Sequence, residues 1–263
     1  MKIHLTCPTC TEEGIAAKPE GGYFAPLITV PLQNTNIYTF ICQQGHSTMI
    51  ALINPKFELL FESGILALQD GYYREAVTSF AASLERFYEF LLTAFMLPGI
   101  RQNKRGFQQA WKQISNSSER QFGAVNTLYF QLFSRPMPAL DIAFVKQHHL
   151  NLDGKEPSNF RNIAVHQGYI PARVYAIHYG EAINKYIGHI LTELSVTNEW
   201  KSRLLDTISY GVESTYDVNG NMTIPTCGNA YFLQAASYIT SVETGPPFGH
   251  SFPYNPSLIE FID

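Results

Sequence analysis

Hydrophobic residues recur at steps of three and four through the middle of the chain, which is the spacing of one face of an α-helix. The first such series consists of Phe57, Leu60, Phe61, Ile65 and Leu68. It stops at Asp70-Gly71, a typical helix end. A second and longer series runs from Tyr72 to Met96 and meets Leu97-Pro98-Gly99. The pattern predicts two long helices, and the second should end at Pro98 because proline lacks the N–H that a helix interior needs.

Further segments show the same helical spacing, at 105–115, 118–134, 139–149, 158–168 and 171–195. Prolines lie near their boundaries, at positions Pro136, Pro138, Pro157 and Pro171. Proline is tolerated in the first turn of a helix but not in its interior, so these positions fit helix ends. Residues 55–205 are therefore predicted to be helical.

The two ends of the chain have a different pattern. Before residue 55, short β-type runs alternate with glycine, proline and asparagine, and these runs are Tyr23 to Val30, Ile37 to Cys42 and Thr48 to Ile53. After residue 205, the segment from Tyr216 to Met222 contains Asn219-Gly220, which favours a hairpin turn. We predict a mainly α protein with three regions: a small β-containing segment at 1–54, the helices at 55–205, and a short β-containing C-terminal extension at 206–263.

The composition indicates a folded protein outside the membrane. Of the 263 residues, 45% are hydrophobic and 15% are charged, which is enough apolar material for a core and excludes wholesale disorder. The longest apolar runs, such as Phe90 to Met96, fall well short of the roughly twenty residues that a membrane-spanning helix needs. The first residues lack the apolar stretch of a signal peptide. We therefore expect a cytoplasmic protein with reduced thiols and no membrane partner.

Charge is distributed unevenly along the chain. The net charge of −4 argues against a strongly basic nucleic-acid binder. No Lys or Arg follows Arg203, however, so the C-terminal part carries −6 and residues 1–203 carry +2. This leaves room for a basic patch in the larger part. The cluster of Arg101, Lys104 and Arg105 is a candidate for RNA phosphates, although so small a cluster is more often a solvated loop.

Four residues near the N-terminus have the spacing of zinc ligands. Cys7 and Cys10 form a Cys-x2-Cys turn, and Cys42 and His46 follow about thirty residues later, with Gly45 easing the second turn. Two such turns can place four ligands in a tetrahedron around Zn²⁺, and a site with four protein ligands is structural. A region of about fifty residues needs such a metal because its own core is small. The sequence predicts a zinc-ribbon-like segment that holds one structural zinc.

Two other interpretations of the cysteines remain. Cys7-Pro-Thr-Cys10 also occurs as a redox motif, which should follow a buried strand and open a helix, whereas only six residues precede it here. In the second alternative, the cysteines are ordinary unpaired thiols of a cytosolic protein. Thr11 departs from the commonest zinc-ribbon pattern, in which a glycine often follows the second cysteine. Cys227 is distant from the others and is expected to be a small buried residue.

The segment from Asn159 to Pro171 carries the second chemical candidate. Arg161 is a permanent cation suited to phosphate, and His166 exchanges protons near neutral pH. On a helix, Asn162 and His166 share a face, so the amide is placed to orient the imidazole. A bare Arg-x4-His is a weak signal, because Arg173 and His178 repeat the spacing. The first copy is favoured because a polar residue follows Arg161.

The long helix that begins near Gly71, followed by Arg161-Asn162-x3-His166-x-Gly168, resembles the HEPN superfamily of helical-bundle proteins. The resemblance covers about residues 55–200, over half of the chain. It implies a HEPN-like bundle with Arg161 and His166 as a catalytic pair and Asn162 as their polar neighbour. It also implies a homodimeric endoribonuclease without a catalytic metal, in a toxin–antitoxin or antiviral defence setting. RNA is then the substrate, and an antitoxin or other protein is a possible partner.

The implied reaction is chemically coherent. One imidazole removes the proton of the RNA 2′-OH, and a second, from the partner subunit, protonates the leaving 5′-oxygen. Arg161 stabilises the charge that develops on the phosphate oxygens. The expected products carry 2′,3′-cyclic phosphate and 5′-hydroxyl ends.

A non-catalytic adaptor is the alternative, in which the bundle and the zinc-ribbon-like segment bind protein or nucleic acid. His166 is then an ordinary helix-end histidine and Arg161 a surface cation. Glu85 and Arg86 are candidates for support of the site, but a solvated helix face is the commoner role for such a pair. His148-His149 is close enough in sequence to join the site, although such pairs more often end helices.

Overall fold

The computed structural model describes residues 1–14, 27–115, 118–211, 224–227 and Leu258. Two compact units are formed: Met1–Asn54 with Ile208–Ala230, and Pro55–Thr207 with Tyr231–Asp263. Residues of the predicted C-terminal extension thus belong to both units. The predicted hairpin at 216–222 lies outside the described residues.

The first unit consists of short strands and one short helix. Strand β1 (Lys2–Thr6) pairs antiparallel with β2 (Leu27–Pro31), and helix α1 (Pro8–Glu12) lies between them in sequence. Strand β3 (Ile37–Ile41) pairs antiparallel with β4 (Ser47–Leu52), and β4 pairs in parallel with the two-residue β5 (Thr226–Cys227). The runs predicted before and after Cys42 correspond to β3 and β4. Strand β1 was not predicted, although its buried Ile3 and Leu5 alternate with exposed residues.

The second unit is helical, as the spacing predicted. Its helices are α2 (Lys56–Gln69), α3 (Tyr73–Gln102), α4 (Lys104–Ile114), α5 (Ser118–Phe133), α6 (Ile142–Gln147), α7 (Pro157–His166), α8 (Arg173–Leu194) and α9 (Asn198–Tyr210), the last of which extends past Thr207. Helix α9 was not predicted as a separate element. Within the described residues, no helix is both long and apolar enough to cross a membrane.

Helix α3 is the centre of the helical unit and contacts α2, α5, α7 and α8. Its apolar stripe meets aromatic rings of the neighbouring helices edge to face. The rings of Phe57 and Phe87, for example, have centroids 5.3 Å apart, and both side chains are fully buried. Buried aromatic side chains remove large apolar areas from water, so this contact between α2 and α3 is a main source of stability.

The ring of Phe80 lies between two glycines of neighbouring helices. A Cβ at Gly64 of α2 would lie 2.5 Å from Phe80 Cε1, and a Cβ at Gly180 of α8 would lie 2.7 Å from Phe80 Cε2. The two helices approach α3 this closely because neither glycine has a side chain. Both helical glycines are therefore explained by packing.

The predicted end of the second long helix at Leu97-Pro98-Gly99 is wrong, since α3 continues through Pro98 to Gln102. Pro98 removes one backbone hydrogen bond and would normally bend or end the helix. Leu97 and Ile100, however, are almost fully buried. Their packing requires another helical turn, and it offsets the cost of the proline.

Candidate metal centre and candidate active site

Cys7, Cys10, Cys42 and His46, the Cys3His cluster, converge in the first unit. Their ligand atoms all lie within 4.8 Å of one another. The Sγ atom of Cys10 is 3.6 Å from that of Cys42 and 3.4 Å from Nδ1 of His46. Three thiols and an imidazole at these separations form a donor set that could hold a metal ion.

Two tight turns bring these residues together. Cys7 follows β1, and its carbonyl accepts a hydrogen bond from the Thr11 hydroxyl at 3.0 Å. In the second turn, the Gly45 N–H donates to the Cys42 carbonyl at 2.9 Å. Gly45 has φ +85°, in the left-handed region that favours glycine. The predicted role of Gly45 in this turn is confirmed.

Partners outside the cluster orient its ligands. The carboxylate of Glu13 lies 3.5 Å from Nε2 of His46, which leaves Nδ1 directed at the thiols. A carboxylate on the far nitrogen of a ligating histidine fixes its tautomer and raises its basicity. The Thr48 hydroxyl is 3.3 Å from Cys7 Sγ. Glu13 and Thr48 were not singled out in the sequence, because nothing local to them indicates this contact.

The thiols of Cys7 and Cys10 differ in acidity. Burial alone raises the pKa of Cys7, but hydrogen bonds with Thr48, the Cys10 backbone and His46 outweigh burial and lower it to about 6. Burial, together with the thiols of Cys42 and Cys7, raises the pKa of Cys10 to about 12. Without a metal, Cys10 is therefore protonated at neutral pH. Metals bind thiolates, so binding must displace its proton.

One structural feature supports the redox interpretation of the cysteines, and another argues against it. Cys7 does follow a strand with buried residues, β1, and Cys10 lies in the short helix α1, which is the context that a redox pair needs. Cys42 and His46, however, complete a four-member donor set around the same point. A dithiol redox site needs no such additional ligands, so the full arrangement favours metal binding. Cys227 is in β5, opposite Leu52 in the strand register.

Arg161 of α7 is held by two neighbours. Its Nη2 donates to Oε1 of Glu85 on α3, and its Nη1 donates to Oδ1 of Asn162 at 2.9 Å. The side chains of Arg161 and Glu85 are 21% and 26% exposed. The ion pair is thus largely shielded from water and fixes the guanidinium. The commoner role proposed for Glu85, on a solvated helix face, is not what the structure shows.

A cavity of about 330 Å³, the α7 cavity, opens beside this ion pair. Its lining residues come from α3, α5, α7, α8 and the segment before α6: Ala81, Leu84, Glu85, Tyr88, Phe122, Ala139, Leu140, Pro157, Ser158, Arg161, Asn162 and Tyr179. The lining is mostly apolar, and its charged members are Glu85 and Arg161. This combination of apolar walls and a few convergent polar groups is typical of ligand sites.

The two tyrosines of the cavity remain neutral near pH 7. Burial raises the pKa of Tyr88 well above its ordinary value, and a contact with Tyr186 adds to the effect. Burial also raises the pKa of Tyr179, against the lowering effect of Arg161. Neither phenol can act as a base near neutral pH, so proton transfer at this site must use another group.

His166 lies apart from the α7 cavity. It is the exposed last residue of α7, and the chain turns at Gly168 with φ +72°. Among the described residues, its ring has no hydrogen-bond partner. The amide of Asn162 bonds to Arg161, and no hydrogen bond joins it to the His166 ring. The structure thus brings together Arg161 and Asn162 but leaves His166 at the surface, one helical turn beyond them.

Arg74 stabilises the helix end at His166. Its Nε donates to the Ala164 carbonyl at 3.0 Å, and its Nη2 donates to the Val165 carbonyl at 3.3 Å. A cation at a helix C-terminus donates hydrogen bonds to the free carbonyls and interacts favourably with the negative end of the helix dipole. Arg74 therefore positions the part of α7 that presents His166, and no local sequence pattern indicates this role.

In the second Arg-x4-His copy, the His178 ring forms a hydrogen bond with a neighbouring segment of the chain. The Asn151 N–H donates to Nδ1 of His178 at 3.1 Å, and His178 is only partly exposed. His148 and His149 do not line the α7 cavity. Burial, and then the nearby Lys185, lower the pKa of His148, so it is neutral at pH 7. Of these four histidines, His149 and His166 are exposed, and neither ring has a hydrogen-bond partner among the described residues.

Comparison with known proteins gives no relative for this chain. No protein-family model matches it, and neither a curated protein nor a solved structure matches it significantly. The function must therefore be inferred from the residues and their geometry.

Proposed function

We propose that the chain is a HEPN-type endoribonuclease that needs no catalytic metal and uses Arg161, Asn162 and His166 of α7. The observation that carries the proposal is the difference between the two Arg-x4-His copies. His166 is exposed, its ring has no hydrogen-bond partner in the part of the chain that the structure describes, and Arg161 is fixed at a cavity. His178, in contrast, accepts a hydrogen bond from the backbone. A general base or acid must be reached by the substrate, and His166 is exposed whereas His178 is only partly exposed.

In the proposed reaction, His166 takes the proton of the RNA 2′-OH. The 2′-oxygen then bonds to phosphorus, and the bond from phosphorus to the 5′-oxygen breaks. A second imidazole donates the proton that the leaving oxygen needs. Arg161 stabilises the developing phosphate charge. The products have 2′,3′-cyclic phosphate and 5′-hydroxyl ends.

The second imidazole requires a partner, and we infer a homodimer. The surface around His166 supports this inference, because it exposes three apolar side chains: Tyr72, Ile170 and Val174 are 61%, 74% and 48% exposed. Tyr72 precedes α3 beside Arg74, while Ile170 and Val174 follow α7. A two-fold axis through this surface would cover the apolar residues and bring two His166 rings to one phosphate.

One observation favours the non-catalytic alternative. Glu85 neutralises Arg161, so an RNA phosphate must compete with a carboxylate for the guanidinium. An adaptor would keep this ion pair as a structural link between α3 and α7. A nuclease must loosen it when substrate binds, and the two functions therefore differ in the behaviour of Glu85.

For the Cys3His cluster we propose structural zinc. Three thiolates and one imidazole are the donors that Zn²⁺ prefers, and four protein ligands leave no position for a reactive water. The three cysteines are almost fully buried, which suits a structural role. In this proposal the zinc stabilises the first unit and takes no part in RNA cleavage.

The deciding experiment compares three variants of the full chain on labelled RNA in the presence of EDTA. His166→Ala and Arg161→Ala should each lower the cleavage rate by about two to four orders of magnitude. His178→Ala is the matched control and should keep the rate while lowering stability. If the His166→Ala protein folds normally and cuts RNA at the parental rate, the nuclease proposal is wrong and the adaptor proposal remains.

A further inference from the structure

Helix α4 (Lys104–Ile114) contains no buried residue, although it carries two large aromatic side chains. Phe107 and Trp111 are one turn apart and both are partly exposed. Their rings are stacked, with centroids 6.4 Å apart and planes inclined by 17°. The pair forms an aromatic stripe on the helix that the rest of the unit leaves partly open to solvent.

A basic stripe runs beside the aromatic one. At about 100° per residue, Lys104 lies within about 20° of Trp111 around the helix axis. Arg105 and Lys112 lie within about 20° of each other, about 100° to 120° from Trp111 and about 140° to 160° from Phe107. All three cations are exposed. Helix α4 thus presents its aromatic rings and Lys104 on one face, with Arg105 and Lys112 around the side of the helix nearer to Trp111.

Acidic residues are missing from this part of the chain. None occurs between Glu89 and Glu119, although the whole chain has a net charge of −4. The nearby Arg101 is paired with Asp206 at 3.5 Å. Arg105 and Lys112 have no ion pair among the described residues. The local excess of positive charge is therefore complementary to a polyanion.

We propose that α4 binds single-stranded nucleic acid, with bases stacked on Phe107 and Trp111 and phosphates at Arg105 and Lys112. Single strands are bound in this way by many proteins, because every base has a face that stacks and every nucleotide carries a phosphate. A lipid surface binds amphipathic helices whose polar face is strongly charged. Here Gln108, Gln109 and Gln113 occupy much of the remaining surface, which favours nucleic acid. The proposal needs neither Arg161 nor His166, so it stands whether or not the chain cuts RNA.

Trp111 can report the binding directly. The chain has two tryptophans, and Trp200 packs against Phe95 and Phe133 with ring centroids 5.5 Å and 5.1 Å away. Trp200→Phe leaves Trp111 as the single tryptophan, which can be excited at wavelengths that the 15 tyrosines do not absorb, and His166→Ala in the same chain prevents cleavage. Addition of an oligouridylate of about twelve nucleotides, or of its DNA counterpart, should quench the fluorescence until the site is saturated. The two oligonucleotides distinguish RNA from DNA as the natural ligand.

Variants on α4 test the two stripes separately. Trp111→Ala, followed by the anisotropy of a labelled oligonucleotide, should weaken binding by roughly tenfold or more. Lys112→Ala should reduce the slope of log affinity against log salt by about 0.7, the value for one lost contact with single-stranded phosphate. The matched controls are Phe130→Ala and Lys146→Ala, exposed residues of α5 and α6 that should leave both quantities unchanged.

Three results would overturn the proposal. The first is an unchanged Trp111 fluorescence with both oligonucleotides. The second is an equal loss of affinity in the α4 variants and their controls. The third is binding of α4 to vesicles of phosphatidylserine and phosphatidylcholine without any binding of oligonucleotides. Far-ultraviolet circular dichroism of each variant ensures that a loss reflects the surface rather than unfolding.

Discussion

Glu85 and Arg161 are 76 residues apart in sequence, and they form an ion pair that links α3 to α7 beside a cavity. The pair fixes the cation at the α7 cavity. It also neutralises that cation, so substrate must displace or share Glu85. The ion pair is therefore both a structural link and a potential control of the site.

Glu85→Gln should lower the free energy of unfolding by about 1 to 2 kcal/mol, because a largely shielded guanidinium loses its charged partner. Urea denaturation measures the change. The control is Glu89→Gln, which affects a more exposed pair with Arg86 and should change stability by less than about 1 kcal/mol.

The same variant separates the two proposed functions. In a nuclease, Glu85→Gln should lower KM for RNA, since phosphate no longer competes with a carboxylate. In an adaptor without cleavage it should affect stability alone. A raised KM in a folded Glu85→Gln protein contradicts the competition described above.

Purified protein should contain one zinc ion per chain, measured by elemental analysis. Cys10→Ser should abolish zinc retention and destabilise the first unit, while most of the helical circular dichroism remains, because the helices of the second unit have their own core. Cys227→Ser is the matched control and should retain the metal. A metal-free protein prepared without chelator would exclude the zinc site.

Zinc binding at pH 7 should release protons. Cys10 is protonated at this pH because its pKa is raised to about 12, whereas Cys7 is ionised because its pKa is lowered to about 6. As the pH falls below about 6, Cys7 also becomes protonated, so more protons must be displaced and the affinity should fall more steeply. Calorimetric titrations of the apoprotein in buffers of different ionisation enthalpy measure the number released. If the number of protons released per zinc does not rise as the pH falls through about 6, the prediction is wrong.

Gly64→Ala and Gly180→Ala should each destabilise the protein by about 1 to 3 kcal/mol, since the new methyl group meets the Phe80 ring. Gly99→Ala is a matched control within α3, where a Cβ has nothing within 4 Å. It should stabilise the helix by about 0.5 to 1 kcal/mol through propensity alone. Thermal and urea unfolding distinguish these opposite signs, and equal effects at Gly64 and Gly99 would refute the packing explanation.

Ile170→Asp should convert the proposed dimer to a monomer and reduce RNA cleavage in parallel, because it places a charge in the apolar surface around His166. Val196→Asp is the control, since Val196 is similarly exposed, at 69%, in the turn between α8 and α9. Sedimentation at micromolar concentration measures the mass. An active protein that is monomeric throughout contradicts the requirement for a second His166.

The Cys3His cluster could be predicted from the sequence because each half of it is a local turn. Cys-x2-Cys and Cys-x3-His fix the ligands of each turn within a few residues, and Gly45 supplies the required backbone conformation. Most helices were predictable for a similar reason, since their apolar spacing is repeated over several turns. In α3 this local rule failed at Pro98, where the burial of Leu97 and Ile100 outweighed the preference of one residue.

The surroundings of α7 depended on the tertiary structure. The sequence singled out Arg161, Asn162 and His166 through their spacing, but spacing does not determine what each side chain contacts. Glu85 and Arg74 reach α7 from α3, across 76 and 90 residues of chain. These contacts exist because helices distant in sequence pack around one core, and packing brings together polar groups that no local pattern connects. The sequence thus determined the helices and the metal-binding turns, whereas the environment of the candidate active site was decided by how the helices pack.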